Sequence, residues 1–270
     1  MHKLPLLVRC YWVILFNRQT FSTMNYLDKI IGDLEEHSAQ GIRECFLNGV
    51  NPNDQYRNEP LFNELTSEYA RTPAFKDCVK AFIDHGLVFE DKALLSVLSE
   101  DAQALQNCLD ETPAIITKQY SMRCAYTPLH GVTLMHICAE FNHVSCAQVL
   151  LNNGADLNAN AAIDEHGFGG QTPIFHTVNQ NSNNSAGMLE FLLSKSVDLK
   201  LTVKGLIWGK GYPWETLIPA VNPISYAMMG LLPQMHRNEN TISTIVSRLL
   251  NAAYGINFTP PNVPNKYLQG

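Results

Sequence analysis

Apolar positions recur along the chain in a frame of thirteen residues that appears six times. Each copy has apolar side chains at its fourth or fifth position, as a helix that packs one face against a neighbour requires. Glycine follows the apolar positions in four copies, where a positive φ ends a helix at little cost. The pattern therefore predicts helices that end at Gly49, Gly86, Gly154 and Gly255. The six copies span residues 42–54, 79–91, 105–117, 147–159, 189–201 and 246–258.

Short openings upstream of these frames predict where further helices begin. Three of them place proline in a first helical turn, where its missing N–H would be unpaired in any case. Residues 127–130, Thr-Pro-Leu-His, look like another opening, but counting back from Gly154 puts the helix start at Thr133 and assigns 127–130 to the preceding connection. The three openings are Glu59-Pro60, Thr172-Pro173 and Asn222-Pro223.

The fourth copy has the clearest motif. It begins Thr133-Leu134-Met135-His136-Ile137-Cys138-Ala139, continues with Asn142-His143 and ends Gly154-Ala155-Asp156-Leu157-Asn158. This segment resembles the ankyrin repeat, in which Thr-Pro-Leu-His-x-Ala-Ala and Gly-His are usual, so Leu134 and Asn142 depart from the pattern. In divergent form the resemblance extends over residues 25–257, and the third copy, only 26 residues after the second, fits it least well.

The resemblance implies a mainly α fold, an ankyrin-type solenoid of about six helix hairpins over residues 24–258, with β-hairpins or loops as connections. It also implies that His136 hydrogen-bonds to the backbone of a loop. Each unit of such a solenoid packs on its neighbours, and insertions map to one face. A bundle of helix hairpins with coincidental glycine caps is the alternative fold.

The two ends of the chain are set apart from the repeats. Residues 4–16 are nearly all apolar but too short to span a bilayer as a helix. A signal peptide is one interpretation of residues 1–23, although Arg9 interrupts the apolar run and no small-x-small cleavage site follows. We favour a start at Met24, with residues 1–23 as an over-called extension, residues 259–270 as a C-terminal tail and a cytoplasmic location.

Three connections are longer than the repeat pattern needs: residues 120–132, 160–171 and 202–221. The last has two β-rich runs around a Gly/Pro cluster, which predicts a hairpin. Its aromatic side chains have two interpretations of equal weight, a recognition surface for a partner or a filling of the neighbouring unit. We expect one tryptophan to be buried and the other, with Tyr212, to be partly exposed. The candidate binding residues are Trp208, Tyr212, Trp214, Phe168 and Tyr126.

Composition and charge exclude several classes of function. Residues 24–117 contain 17 acidic and 7 basic side chains, and no cluster of Lys and Arg indicates a nucleic-acid partner. The seven cysteines are odd in number and none form a Cys-x-x-Cys pair, which favours buried free thiols in a reducing compartment. His136 and His143 stand at repeat positions and predict no metal site, and no nucleophile elbow, phosphate-binding loop or zinc-protease motif occurs.

These observations favour a monomeric protein–protein interaction module without catalytic activity or cofactor, whose partner the sequence does not name. The alternative is an enzyme or small-ligand-binding α protein with a pocket under the 202–221 hairpin. Residues 227–240 form a methionine-rich insertion that we expect to close the end of the core.

Overall fold

The computed structural model describes residues 25–232 and 235–257 of the 270. The predicted N-terminal extension (1–23) and C-terminal tail (259–270) lie outside the described residues. Within those residues the fold is mainly α, as predicted, with eleven α-helices and three short 3-10 helices. The α-helices are α1 (Tyr26–Glu35), α2 (Ala39–Leu47), α3 (Leu61–Ser67), α4 (Phe75–Asp84), α5 (Lys92–Leu98), α6 (Ala102–Glu111), α7 (Leu134–Phe141), α8 (Val144–Asn152), α9 (Ala186–Leu193), α10 (Pro223–Met229) and α11 (Glu239–Tyr254). The 3-10 helices are Pro113–Thr117, Pro173–Thr177 and Asn181–Asn183.

Six strands in the described part of the chain pair as three antiparallel hairpins, each confined to one connection. The largest confirms the hairpin predicted in residues 202–221, with Val203 opposite Val221 and Trp208 opposite Thr216. The pairs are β1 (Gln55–Tyr56) with β2 (Glu59–Pro60), β3 (Tyr120–Met122) with β4 (Leu129–Val132), and β5 (Val203–Trp208) with β6 (Thr216–Val221).

Local capping explains where the helices begin and end. Thr133 caps α7 in a capping box with His136, and Asn222 caps α10 with Pro223 as its first helical residue. The helix start predicted at Thr133 is thus confirmed, and residues 127–130 belong to the preceding hairpin. The glycines predicted to end helices all have positive φ: +100° at Gly49, +92° at Gly86, +88° at Gly154 and +68° at Gly255.

Gly154→Ala tests whether this left-handed conformation is required. An added Cβ would meet no heavy atom within 4 Å, so backbone strain alone should act. Urea unfolding should show a loss of about 1 kcal/mol. Gly32→Ala is the matched control, because Gly32 lies inside α1 with equally open space and should gain about 0.5–1 kcal/mol. Equal effects of the two substitutions would contradict the assignment of Gly154 as the residue that ends α8.

The helical segments follow one another as six pairs, which we number units one to six. The pairs are α1 with α2, α3 with α4, α5 with α6, α7 with α8, Pro173–Thr177 with α9, and α10 with α11. One cluster of buried apolar side chains extends through all six. Five of the cysteines are buried free thiols within it: Cys45, Cys78, Cys124, Cys138 and Cys146.

The first helix of unit five departs from the two-helix pattern. The opening Thr172-Pro173 begins a 3-10 helix of five residues, not an α-helix. Residues 177–184, Thr-Val-Asn-Gln-Asn-Ser-Asn-Asn, are poor helix formers, so an α-helix gains little by continuing through them. Unit three, despite its short spacing, does contain two helices, because Asp91 and Asp101 cap α5 and α6 in turn.

Candidate functional site

The three long connections meet in one surface, which we call the hairpin platform: residues 120–132, 160–171 and 202–221. Backbone hydrogen bonds join them, from the Ala162 amide to the Gly131 carbonyl (3.0 Å) and from the Gly169 amide to the Gly205 carbonyl (2.9 Å). The Gly209 amide closes the set by donating to the Tyr126 carbonyl at 2.9 Å. The close approach at Gly169 leaves no room for a side chain, since a Cβ there would lie 2.3 Å from the Ala162 oxygen.

Two of the five predicted binding residues lie in the interior, which corrects their assignment. Trp208 and Tyr126 are fully buried, with ring centroids 6.3 Å apart, and the Tyr126 hydroxyl donates to the Tyr69 carbonyl at 2.5 Å. Neither ring can reach a partner, because the platform folds back over them onto unit two. Trp208 and Tyr126 are core residues, and their role is to stabilise the fold.

The other three predicted residues are half-buried on the platform. Tyr212 and Trp214 stack with centroids 4.7 Å apart. The Tyr212 hydroxyl donates to the Ser67 carbonyl at 2.7 Å, and the Trp214 indole donates to the Ala125 carbonyl at 3.3 Å. Phe168 lies beneath Lys204, whose ammonium is 5.4 Å from the ring centroid. The predicted division between one buried and one half-buried tryptophan is confirmed.

An open groove, which we call the hairpin groove, lies along the platform. Its main cavity has a volume of about 320 Å³ and lies next to a smaller one that shares Pro128, His130 and Lys210 with it. The exposed side chains of Arg123, His130 and Lys210 line the main cavity. Its other lining residues are Ser121, Met122, Cys124, Pro128 and Leu129, and the smaller cavity adds Ala162, Asp164, Phe168, Gly169, Gln171 and Ile207. The sequence missed this groove because its residues come from separate connections.

A buried ionic network, also missed by sequence reasoning, lies in the interior. One Glu140 oxygen accepts from the Arg71 guanidinium at 2.9 Å and the other accepts from His176 Nδ1 at 2.9 Å. All three side chains are buried. Burial by itself would raise the pKa of the Glu140 carboxyl, but Arg71 and then His176 outweigh it and hold the pKa at about 2. One signal was available, since Glu140 is the only charged residue between Arg123 and Asp156.

A second buried arginine extends the network to the last unit. The Arg237 guanidinium donates to the Asn179 carbonyl at 2.6 Å and to the Tyr69 hydroxyl at 2.8 Å. Arg71 and Arg237 lie 5.0 and 5.1 Å from the centroid of the Tyr126 ring. Unit two therefore contacts units four and six directly, whereas units of a regular solenoid contact only their neighbours. The network joins these units, and Arg71 and Glu140 also line a cavity of about 240 Å³.

Two histidines outside the network are held neutral. Burial, with the charge of Arg71 adding to it, lowers the pKa of His37 to about 4. Burial likewise lowers the pKa of His136 to about 3, with His176 as the next cause. His136 Nε2 donates to the Gln171 carbonyl at 3.1 Å, and its Nδ1 accepts from the Thr133 amide at 3.2 Å. The predicted backbone hydrogen bonding of His136 is thus present and joins unit four to unit five.

These contacts lie in the segment that a comparison with known families identifies. Residues 130–162 match the family model of the ankyrin repeat. The match covers α7, α8 and the start of the connection that follows, and it agrees with the resemblance seen in the fourth copy. No curated protein matches the chain.

Metal-binding clusters and membrane-spanning helices are two features that the described residues lack. Among them, no group of three or more His, Cys, Asp or Glu side chains could hold a metal ion. No helix in the described part combines the length and apolar character needed to cross a membrane.

The predicted repeat residues Thr172, Pro173 and Pro223 are buried at the starts of their helical segments, where they support the fold.

Proposed function

We propose that this chain is a protein-interaction module of the ankyrin-repeat type, a solenoid that binds a partner protein through the hairpin groove and catalyses no reaction. The match of residues 130–162 to the ankyrin repeat is the observation that supports it best. The open groove between three interlocked connections adds support, because insertions in repeat proteins lie on one face that is often the binding face. A cytoplasmic location and a monomeric state are part of the proposal.

The interior beneath the 202–221 hairpin favours this function over a small-ligand pocket. Trp208 and Tyr126 fill that space, and Tyr69 and Trp214 contact each other edge to face at its border, with centroids 6.0 Å apart. A ligand-binding cavity would need concave room with convergent polar groups. The rings fill the space directly beneath the strands, and a cavity of about 250 Å³ lies beside the turn, where Tyr212 and Trp214 contribute to its lining.

Site-specific crosslinking tests the proposal. A photoreactive benzoylphenylalanine at Met122, which lines the groove, should crosslink to a defined partner protein in the native cells. The same group at Lys195, an exposed residue of unit five outside the groove, should give no such product. Absence of any crosslinked protein, or the same products from both positions, would overturn binding through the groove.

A further inference from the structure

The main cavity of the hairpin groove has a basic lining in a chain whose net charge is −6. Arg123, His130 and Lys210 line its main cavity, and that lining includes no acidic side chain. In the smaller cavity, the Asp164 carboxylate forms an ion pair with the Lys210 ammonium at 3.6 Å. Arg123 forms no salt bridge within the described residues; its guanidinium lies 4.6 Å from the centroid of the Tyr212 ring. The groove thus presents Arg123 without an ion pair among the described residues, next to Lys210, which pairs with Asp164.

Acidic side chains lie along one side of the groove. Arg123 also lines a second cavity, of about 250 Å³, in which Arg57 lies with three carboxylates, those of Glu35, Glu64 and Glu68. These carboxylates belong to units one and two, within the part of the chain that has 17 acidic and 7 basic residues. An anionic segment is repelled there and attracted to the groove, so the charge pattern confines such a segment to one place.

The groove also has an apolar component. Met122, Leu129 and Ile207 contribute to the lining of its two cavities, and Pro128 lies in both. The two cavities share lining residues and so form one groove, which is longer than a single side chain. A segment that alternates acidic and apolar residues in an extended conformation would place its carboxylates towards the basic groups and its apolar side chains against the lining.

We infer that the hairpin groove binds an extended acidic segment of the partner protein, with carboxylates at Arg123, His130 and Lys210 and apolar side chains against Met122 and Pro128. This inference rests on the proposed function and names the chemistry of the partner. The protein's net charge of −6 opposes the approach of any acidic peptide, so binding must come from the local groove.

Fluorescence anisotropy with a labelled peptide that alternates Glu and Leu tests the inference. This peptide should bind the full chain, and the same peptide with Gln in place of Glu should bind at least about tenfold more weakly. Raising the ionic strength from about 0.05 M to about 0.5 M should weaken binding of the Glu peptide, because salt screens exposed charges. Binding of the Gln peptide should stay nearly unchanged. Equal binding of the two peptides, or binding of neither, would overturn the inference.

Two double variants locate the site. Arg123→Gln with Lys210→Gln should weaken binding of the acidic peptide about tenfold or more. Lys195→Gln with Lys200→Gln is the matched control, since it removes the same charge from two exposed lysines, which lie over Phe191 and Tyr254 as Arg123 lies over Tyr212. Equal losses in the two double variants would show attraction to the general field and overturn the groove assignment. Tighter binding of a single-stranded DNA probe than of the peptide, lost in the first variant, would also overturn it.

The two proposals can fail separately. If crosslinking at Met122 captures a defined partner whose binding is unchanged in the Arg123 and Lys210 double variant, the proposed function stands and the acidic segment is wrong. If the acidic peptide binds the groove but no position in it crosslinks to a protein in native cells, the groove chemistry stands and the proposed function fails.

Discussion

Glu140→Ala should lower the free energy of unfolding by about 3–5 kcal/mol, because it leaves the buried Arg71 guanidinium without its counter-ion. The remaining bonds of Arg71 run mainly to the Glu68 and Ala70 carbonyls, which do not neutralise its charge. Denaturant unfolding of wild type and variant measures the loss.

Glu190→Ala is the control for this substitution. Glu190 pairs with Arg248 at the surface, where both side chains are exposed, so its removal should cost less than about 1 kcal/mol. A loss at Glu140 no larger than that at Glu190 would show that the buried network adds little to stability.

Wild type and Glu140→Ala should also differ in how their free energy of unfolding changes with pH. A carboxyl whose pKa is lowered in the folded state stabilises the fold above its unfolded pKa of about 4.3. That contribution is lost as the pH falls towards about 2, the folded pKa of Glu140. His37 and His136, with folded pKa values of about 4 and 3, stay neutral while the unfolded chain takes up protons below about pH 6.5, so stability falls with acidification in both proteins. The wild-type curve should therefore fall more steeply than that of Glu140→Ala below about pH 5. Parallel curves would contradict the lowered pKa of Glu140.

Trp208→Ala should cost about 3–5 kcal/mol, since it removes the largest side chain that is fully buried among the described residues. Trp214→Ala should cost clearly less, because that ring is half-buried and keeps part of its surface in solvent. Thermal or urea unfolding of both variants gives the comparison.

Trp208→Phe refines this test. The Trp208 indole N–H has no hydrogen-bond partner among the described residues, so Phe removes an unsatisfied polar group while retaining an aromatic ring. Its cost should be well below that of Trp208→Ala. Equal losses for Trp208→Ala and Trp214→Ala would show that both rings have the same structural role and would remove the distinction between interior and platform.

Local chemistry made part of this architecture predictable. A glycine just beyond an apolar helical frame can take a positive φ at little cost, which is why the helix ends at Gly49, Gly86 and Gly154 were predictable. Thr133 and His136 form a capping box within four residues, and that proximity located the start of α7. The 202–221 hairpin follows from β-rich runs around a turn.

Sequence patterns predicted less of the candidate site. The three long connections were identified from their length, but which of their aromatic side chains face outward was not. Trp208 and Trp214 lie in the same hairpin, and the packing of that hairpin onto Tyr69 and Tyr126 buries one of them more than the other. The basic groove arises where the connections meet.

The sequence by itself determined the repeat frame, several helix starts and ends and the mainly α character of the chain, because those depend on residues within a few positions of each other. Only the tertiary structure decided that Arg71 meets Glu140, 69 residues away, and that Arg237 meets Tyr69, 168 residues away. Such contacts depend on how successive units stack. Small differences in turn length and helix length add up along the chain, so the partners of a buried charge are set by the whole fold and leave no local pattern.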